Sequence, residues 1–244
     1  MSAPTSATPW HPLTPVEVAG LLSTTDARWW LSGGAALDRW LGAPIRERVN
    51  IDVSTTRSHL PTLITALPTG YTAWVSPGSG DAATGSASRH AVSQPPGYGR
   101  TNPGGSHAGW RLAQVVEADA DVQRVHILRD ADEAWVLQVN VEDGVDRAWL
   151  YLRDPRLQLP WDAAVLNLDG IPTGAPEVQL VWKALRPRPE DEIDKDAVLP
   201  KLPEAARAWW EKAILSIHPH STWSIHVRSP FAPAKASWNR SRRS

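Results

Sequence analysis

Hydrophobic and polar positions follow two alternating periods in the first 75 residues, which predicts helices and strands in turn. The first helix has a clear start: Thr14 is placed to cap it, Pro15 occupies its first position and Glu17 completes a capping box. Period-two runs indicate buried strands between the helices. The pattern predicts helices over residues 15–22, 35–41 and 58–66, and strands over residues 28–32, 50–54 and 71–75.

The pattern changes from strands to helices in the second half of the chain. Alternating runs predict three antiparallel strands over residues 122–128, 134–141 and 148–152, with a hairpin turn around Asp143-Gly144. From residue 175 the hydrophobic spacing becomes helical. It predicts helices over residues 175–184, 191–199 and 202–217.

Composition divides the chain further. Residues 76–109 are rich in Gly, Ser, Pro and Ala, which predicts a long loop or a disordered insertion. We therefore expect a loose N-terminus over residues 1–13, a first domain over 14–160 that carries this insertion, a helical domain over 170–225, and a basic flexible tail over 226–244. The insertion and the tail are also candidates for assembly with other chains.

Bulk composition excludes several classes of protein. The 244 residues carry a net charge of -1 and no cysteine, so nucleic-acid binding is not expected and thiolate metal sites are excluded. No apolar run is long enough for a membrane span, and no signal peptide is visible, so we expect a cytoplasmic protein. The 14 Trp residues against one Phe predict Trp-based packing, with stacking of a base or sugar ring as the alternative.

Two short segments carry candidate chemistry. Gly33-Gly34 forms a turn at the start of a predicted helix, where exposed backbone N–H groups suit phosphate. Asn50 and Asp52 are two residues apart on a predicted strand, so both side chains face the same side of a sheet. Asp52 is a candidate ligand for a hard cation such as Mg²⁺, whereas Asn50 brings an oxygen without charge.

These segments resemble the aminoglycoside and lincosamide nucleotidyltransferases. The matching stretches are WLSGGAALD over residues 30–38, RERVNIDV over 46–53, APEVQLVWKA over 175–184 and RPEDEID over 188–194. The resemblance implies an α+β fold, with a polymerase-β-like mixed sheet, flanking helices and a small all-α C-terminal domain. It also implies transfer of a nucleoside monophosphate from a nucleoside triphosphate, with Mg²⁺, to a hydroxyl of a drug.

The chain departs from the family pattern at its carboxylates. The resemblance implies metal ligands at Asn50 and Asp52, and only the second is a carboxylate. It also implies a general base on a later strand, where the inward position falls on Gln138 or Asn140 and neither is a base. Glu142 shares that strand face. Catalytic candidates are thus Asp52, Asn50, Gln138 and Glu142, with Glu47 as a further carboxylate that an active enzyme would recruit.

The resemblance also implies binding residues. It assigns the nucleotide to Ser32, Gly33, Gly34, Arg46, Arg48 and Lys183, and the substrate to Asp191 and Asp194. Structural roles remain open for several of these. The two aspartates are also placed to cap their own helix, and Lys183 and Arg48 fit surface positions as well.

Two functions follow from the sequence. The first is a nucleotidyltransferase that uses Mg²⁺ and a nucleoside triphosphate, ATP being the first choice, to modify an aminoglycoside-like small molecule, with activity impaired at Asn50. The second is a catalytically degenerate scaffold that binds a nucleotide, a small molecule or a protein. The pattern does not fix the oligomeric state.

Overall fold

A computed structural model describes residues 4, 7–75, 110–113 and 122–229. The predicted insertion over residues 76–109 and the predicted tail beyond residue 229 lie outside the described residues. The chain divides into two compact units. Unit 1 comprises Met1–Trp29 and Val49–Asp143, and unit 2 comprises Trp30–Arg48 and Gly144–Ser244.

The helices and strands alternate up to residue 75, as the hydrophobic pattern predicts. In chain order the elements are α1 (Pro15–Leu21), β1 (Trp29–Ser32), α2 (Gly33–Leu41), β2 (Asp52–Thr56), α3 (Leu60–Thr65), β3 (Tyr71–Val75), β4 (Arg111–Leu112), β5 (Arg124–Arg129), β6 (Ala134–Val145), β7 (Ala148–Leu150), β8 (Gln158–Pro160), α4 (Trp161–Ala164), β9 (Val165–Leu168), β10 (Ile171–Gly174), α5 (Pro176–Ala184), α6 (Pro189–Val198), a 3₁₀ turn (Leu199–Lys201), α7 (Glu204–Ile217) and α8 (Thr222–Arg228).

Unit 1 contains a mixed sheet with the strand order β4-β3-β5-β6-β2. The last pair, β2 and β6, is parallel, and the other pairs are antiparallel. A register shift between Ile127 and Leu128 marks a bulge in the β5–β6 pair. The predicted capping box at Thr14 is present at the start of α1, since Thr14 and Glu17 exchange hydrogen bonds there.

Unit 2 combines a smaller mixed sheet with helices. Strand β1 pairs in parallel with β10, which pairs with β9 in antiparallel orientation, and β7 pairs with β8. Aromatic side chains fill its core: Trp30, Trp149, Trp210 and Tyr151 are each almost fully buried against α2, α5 and α7. This packing explains how a chain with so little Phe builds a core.

The α+β fold class is confirmed, because mixed sheets, flanking helices and C-terminal helices are all present. Several details differ from the prediction. Helix α8 includes residues 226–228, which the prediction placed in the flexible tail. Strand β2 begins at Asp52, so Asn50 precedes the strand. Asp143 and Gly144 lie inside β6, and the turn falls at residues 146–147. Residues 158–160, 165–168 and 171–174 form short strands that the sequence pattern did not predict, since each is only three or four residues long. Within the described residues no helix combines the length and apolarity that crossing a bilayer requires.

One ionisable pair is buried in the core of unit 2. The Tyr151 hydroxyl and His218 Nε2 are 3.0 Å apart, and Trp182 packs edge-on against the Tyr151 ring. Burial, followed by the charge of Arg153, lowers the pKa of His218 to about 4. His218 is therefore neutral in the folded protein near neutral pH.

We predict that the stability of the protein falls as pH is lowered from about 6.5 to 4. The pKa of His218 is 6.5 when exposed and about 4 when folded, so the unfolded chain takes up a proton that the folded chain does not. This group should contribute up to about 3 kcal/mol above pH 6.5, and all of it is lost near pH 4. Urea unfolding at a series of pH values measures the slope.

The variant His218→Gln should reduce this slope, and His220→Gln, which alters an exposed histidine nearby, should leave it unchanged. Buried His126 in unit 1, whose pKa is lowered in the same direction, should supply the slope that remains. An unchanged slope in His218→Gln would mean that His218 is not the titrating group.

Candidate functional site

Polar side chains line one face of the unit 1 sheet. Residues that are directly opposite on neighbouring strands point to the same side, so the strand register identifies which side chains share the face. The register places the predicted positions of β2 and β6 in facing pairs. The cross-strand rows are Asp52–Gln138–His126, Ser54–Asn140–Arg124 and Thr56–Glu142.

Asp52 and Asn50 meet, but as a hydrogen-bonded pair. Asn50 Nδ2 donates to Asp52 Oδ1 at 2.9 Å. Asp52 itself is only 7% exposed. The amide of Asn50 therefore occupies one carboxylate oxygen of Asp52, at the place where the family resemblance implies a second carboxylate.

The structure does not bring Glu142 to Asp52. Glu142 pairs with Thr56, four residues along β2 from Asp52, which corresponds to a separation of about 13 Å at roughly 3.3 Å per residue. Gln138 is the residue opposite Asp52, and its Nε2 donates to Asn140 Oδ1 at 3.0 Å. The side chain facing Asp52 is thus a neutral amide that cannot accept a proton.

These residues do not fit a site for two magnesium ions. Two hard cations need several carboxylate oxygens around them. In the described part of the chain, no three His, Asp or Glu side chains cluster in a way that could hold a metal. Asp52 with Asn50 provides one carboxylate, and part of it is already hydrogen-bonded.

His126 belongs to the same face, and the sequence analysis did not identify it. Burial, followed by the charge of Arg124, lowers the pKa of His126 to about 3, so the ring is neutral. Its centroid lies 5.2 Å from that of Trp110 and 5.3 Å from that of Trp135. Within the part of the chain that the structure describes, His126 Nδ1 is buried without a hydrogen-bond partner. Its position within a period-two run of the strand was the only sequence signal.

In unit 2, glycine is required at the two positions of the predicted phosphate turn for two different structural reasons. Gly33 has a φ of 59°, in the left-handed region that favours glycine. At Gly34 the Arg48 side chain comes so close to the backbone that a Cβ would lie 2.2 Å from Arg48 Nη1. The Gly33 N–H donates to Gln179 Oε1 at 2.7 Å. The turn therefore packs against side chains of the same unit. Ser32, just before it, is 3% exposed, and its hydroxyl has no hydrogen-bond partner in the described ranges of the chain.

Asp194 is the centre of a buried ion network. Its side chain is fully buried, and three cations reach it: Arg46 at 3.1 Å, Arg48 at 3.1 Å and Lys183 at 3.0 Å. Burial raises the pKa of Asp194, but the hydrogen bond from Arg48 and the charge of Lys183 outweigh it and lower the pKa to about 2. Asp194 is ionised at neutral pH and holds together three residues that the resemblance assigned to the nucleotide.

Two further carboxylates extend the network. Arg48 also binds Asp38, with Nη2 to Oδ1 at 2.6 Å. Lys183 Nζ lies 2.6 Å from Asp191 Oδ1. Asp191 Oδ2 accepts the backbone N–H of Arg188 at 3.0 Å, which caps the start of α6. The structure thus pairs the predicted substrate residues, Asp191 and Asp194, with three of the predicted nucleotide residues, namely Arg46, Arg48 and Lys183.

Comparison with known proteins locates the resemblance in the first part of the chain. Residues 16–77, about a quarter of the chain, match the family Aminoglycoside-2''-adenylyltransferase. The resemblance to aminoglycoside nucleotidyltransferases is confirmed. The matched residues include Gly33-Gly34, Arg48 and the Asn50–Asp52 pair.

A solved structure and the curated proteins complete the comparison. The lincosamide antibiotic adenylyltransferase LnuA, bound to lincomycin, is 15% identical to this chain, with a TM-score of 0.43. The alignment covers 81% of this chain and 98% of LnuA. No curated protein matches the chain.

We predict that Asp194→Asn destabilises the protein by about 3–5 kcal/mol, because it leaves buried cations without their shared carboxylate. Urea unfolding at pH 7 measures the loss. Asp196→Asn is the matched control: it lies on the same helix, its side chain is 73% exposed, and we expect a change within about 0.5 kcal/mol. Equal effects of the two variants would contradict a central role for Asp194.

We also predict that Gly34→Ala lowers the melting temperature and that Gly20→Ala does not. A Cβ at position 34 displaces the Arg48 guanidinium and so disturbs its bonds to Asp38 and Asp194, whereas a Cβ at position 20 meets nothing within 4 Å. Alanine in α1 should raise stability by about 0.5–1 kcal/mol through its better helix propensity. Calorimetry on both variants tests the difference in sign.

Proposed function

We propose that this chain is a nucleotidyltransferase-like protein related to the antibiotic-modifying enzymes, with strongly impaired transfer. Its reaction would move a nucleoside monophosphate from a nucleoside triphosphate to a hydroxyl of an aminoglycoside-like molecule. The family match over residues 16–77 supports the reaction class. The observation that carries the impairment is the hydrogen bond from Asn50 Nδ2 to Asp52 Oδ1 at 2.9 Å.

The chemistry explains why this bond matters. Transfer to a hydroxyl requires negative charge that holds the cations accompanying the triphosphate, and a base that accepts the hydroxyl proton. Asn50 brings no charge, and the Gln138 opposite Asp52 is not a base. Each loss of about 1.4 kcal/mol in transition-state stabilisation costs about tenfold in rate, so two such losses place transfer orders of magnitude below that of an intact site.

A binding module is the second candidate function, and a specific observation favours it. In the described residues the polar face holds the neutral groups Gln138, Asn140 and His126 around Asp52, and no cluster of three His, Asp or Glu side chains that could hold a metal occurs. A face of this kind suits recognition of a nucleotide, a small molecule or a protein by hydrogen bonds, without turnover.

We predict that Asn50→Asp raises nucleotidyl transfer at least about tenfold, because it restores the second carboxylate. The assay incubates wild type and variant with labelled ATP, GTP or CTP, Mg²⁺ or Mn²⁺, and a panel of aminoglycosides and lincosamides, and measures labelled product. Asp52→Asn should give none. Asn167→Asp, which makes the same chemical change at an exposed position of β9, should behave like wild type.

The possible outcomes separate the two candidates. Wild-type transfer equal to that of Asn50→Asp would contradict the impairment. Absence of product from every variant, together with a nucleotide-dependent rise in melting temperature, would favour the binding module, since a ligand well above its Kd stabilises the folded state.

A further inference from the structure

The side-chain amide of Gln179 lies between two glycines of unit 2, Gly33 and Gly174. This residue of α5 is 2% exposed, and its Oε1 accepts the Gly33 N–H at 2.7 Å. At the other end of the amide, a Cβ at Gly174 would lie 2.3 Å from Gln179 Nε2. Glycine at position 174 therefore gives Gln179 the space to reach the turn.

This contact closes the turn that the sequence marks as a phosphate site. A backbone N–H has a single hydrogen, and one held at 2.7 Å by an amide oxygen is not offered to a phosphoryl oxygen. The neighbouring glycine is covered as well. The Arg48 guanidinium lies against Gly34 and donates to Asp38 and Asp194, so its charge is already engaged.

Gln179 uses only the acceptor half of its side-chain amide. Gln179 Nε2 is buried and has no hydrogen-bond partner among the described residues. A buried donor without an acceptor costs free energy; an apolar side chain of similar shape would avoid that cost but would leave the Gly33 N–H without its acceptor. What glutamine adds at this position is the acceptor oxygen on the Gly33 N–H.

We propose that Gln179 controls phosphate access at the double-glycine turn. It holds the Gly33 N–H in the nucleotide-free protein, and it has to leave before a polyphosphate can bind there. The inference rests on the proposed function in one respect, namely that this turn is the place where the triphosphate binds. It makes Gln179 a residue that lowers affinity for polyphosphate, independently of the chemistry at Asn50.

The test uses inorganic tripolyphosphate and the full-length, ¹⁵N-labelled protein, with the Gly33 amide resonance as readout. In wild type we expect the resonance to shift only at concentrations about tenfold above those at which it shifts in Gln179→Ala. Releasing one N–H to an anionic oxygen should lower the apparent Kd about tenfold. Gln179→Glu keeps an acceptor and adds negative charge, so it should bind no better than wild type.

Gln158→Ala, a substitution at an exposed glutamine of unit 2, is the matched control and should behave like wild type. If Gln179→Ala does not fold, Gln179→Asn removes the reach of the side chain and keeps its polarity. The proposal is overturned if the Gly33 resonance shifts equally in wild type and variant, or in neither. Tripolyphosphate cannot donate a nucleotide, so this result is separate from the proposed function. A shift in Gln179→Ala without product from Asn50→Asp would contradict only the proposed function. Product from Asn50→Asp without a shift in Gln179→Ala would contradict only the role of Gln179.

Discussion

The burial of Asp194 is the constraint on which the rest of unit 2 depends. A fully buried carboxylate is tolerated only where cations surround it, and Arg46, Arg48 and Lys183 supply that charge. The need to neutralise Asp194 also constrains the residues around Arg48. Arg48 can reach Asp194 only because position 34 has no side chain, and its remaining donors need Asp38. One buried charge thus explains a glycine, three cations and a second carboxylate that are far apart in the sequence.

The sequence predicted local structure well and long-range pairing poorly. The capping box at Thr14 and the strand over residues 71–75 depend on neighbouring residues, so their signals are contained in a short window. The pairing of Asp52 with Gln138 depends on strand register, which the hydrophobic pattern of neither strand specifies. The bonds from Arg46 and Arg48 to Asp194 and the hydrogen bond from Gly33 to Gln179 are invisible for the same reason: each joins residues more than 140 positions apart.

The candidate residues of unit 1 and those of unit 2 share one property. In each unit, other groups of the protein form the hydrogen bonds or ion pairs that a ligand would otherwise form. In unit 1 the amide of Asn50 holds Asp52, and in unit 2 carboxylates hold the cations and an amide oxygen holds the turn. A site that turns over a charged substrate keeps some donors and charges free for it. Among the described residues, the groups that the sequence marks for ligand binding are therefore already hydrogen-bonded or ion-paired within each unit.

The parallel pairing of β2 with β6 also has a consequence for how the protein is made. Val53 in β2 is fully buried, yet its partner Val139 is synthesised 86 residues later. At roughly 5–20 residues per second, the ribosome takes about 4 to 17 seconds to cover that distance. During this time β2 has an apolar side chain and an unpaired edge, which is the condition that promotes association with other chains. The nascent protein is therefore most dependent on chaperones after β2 has emerged and before β6 follows.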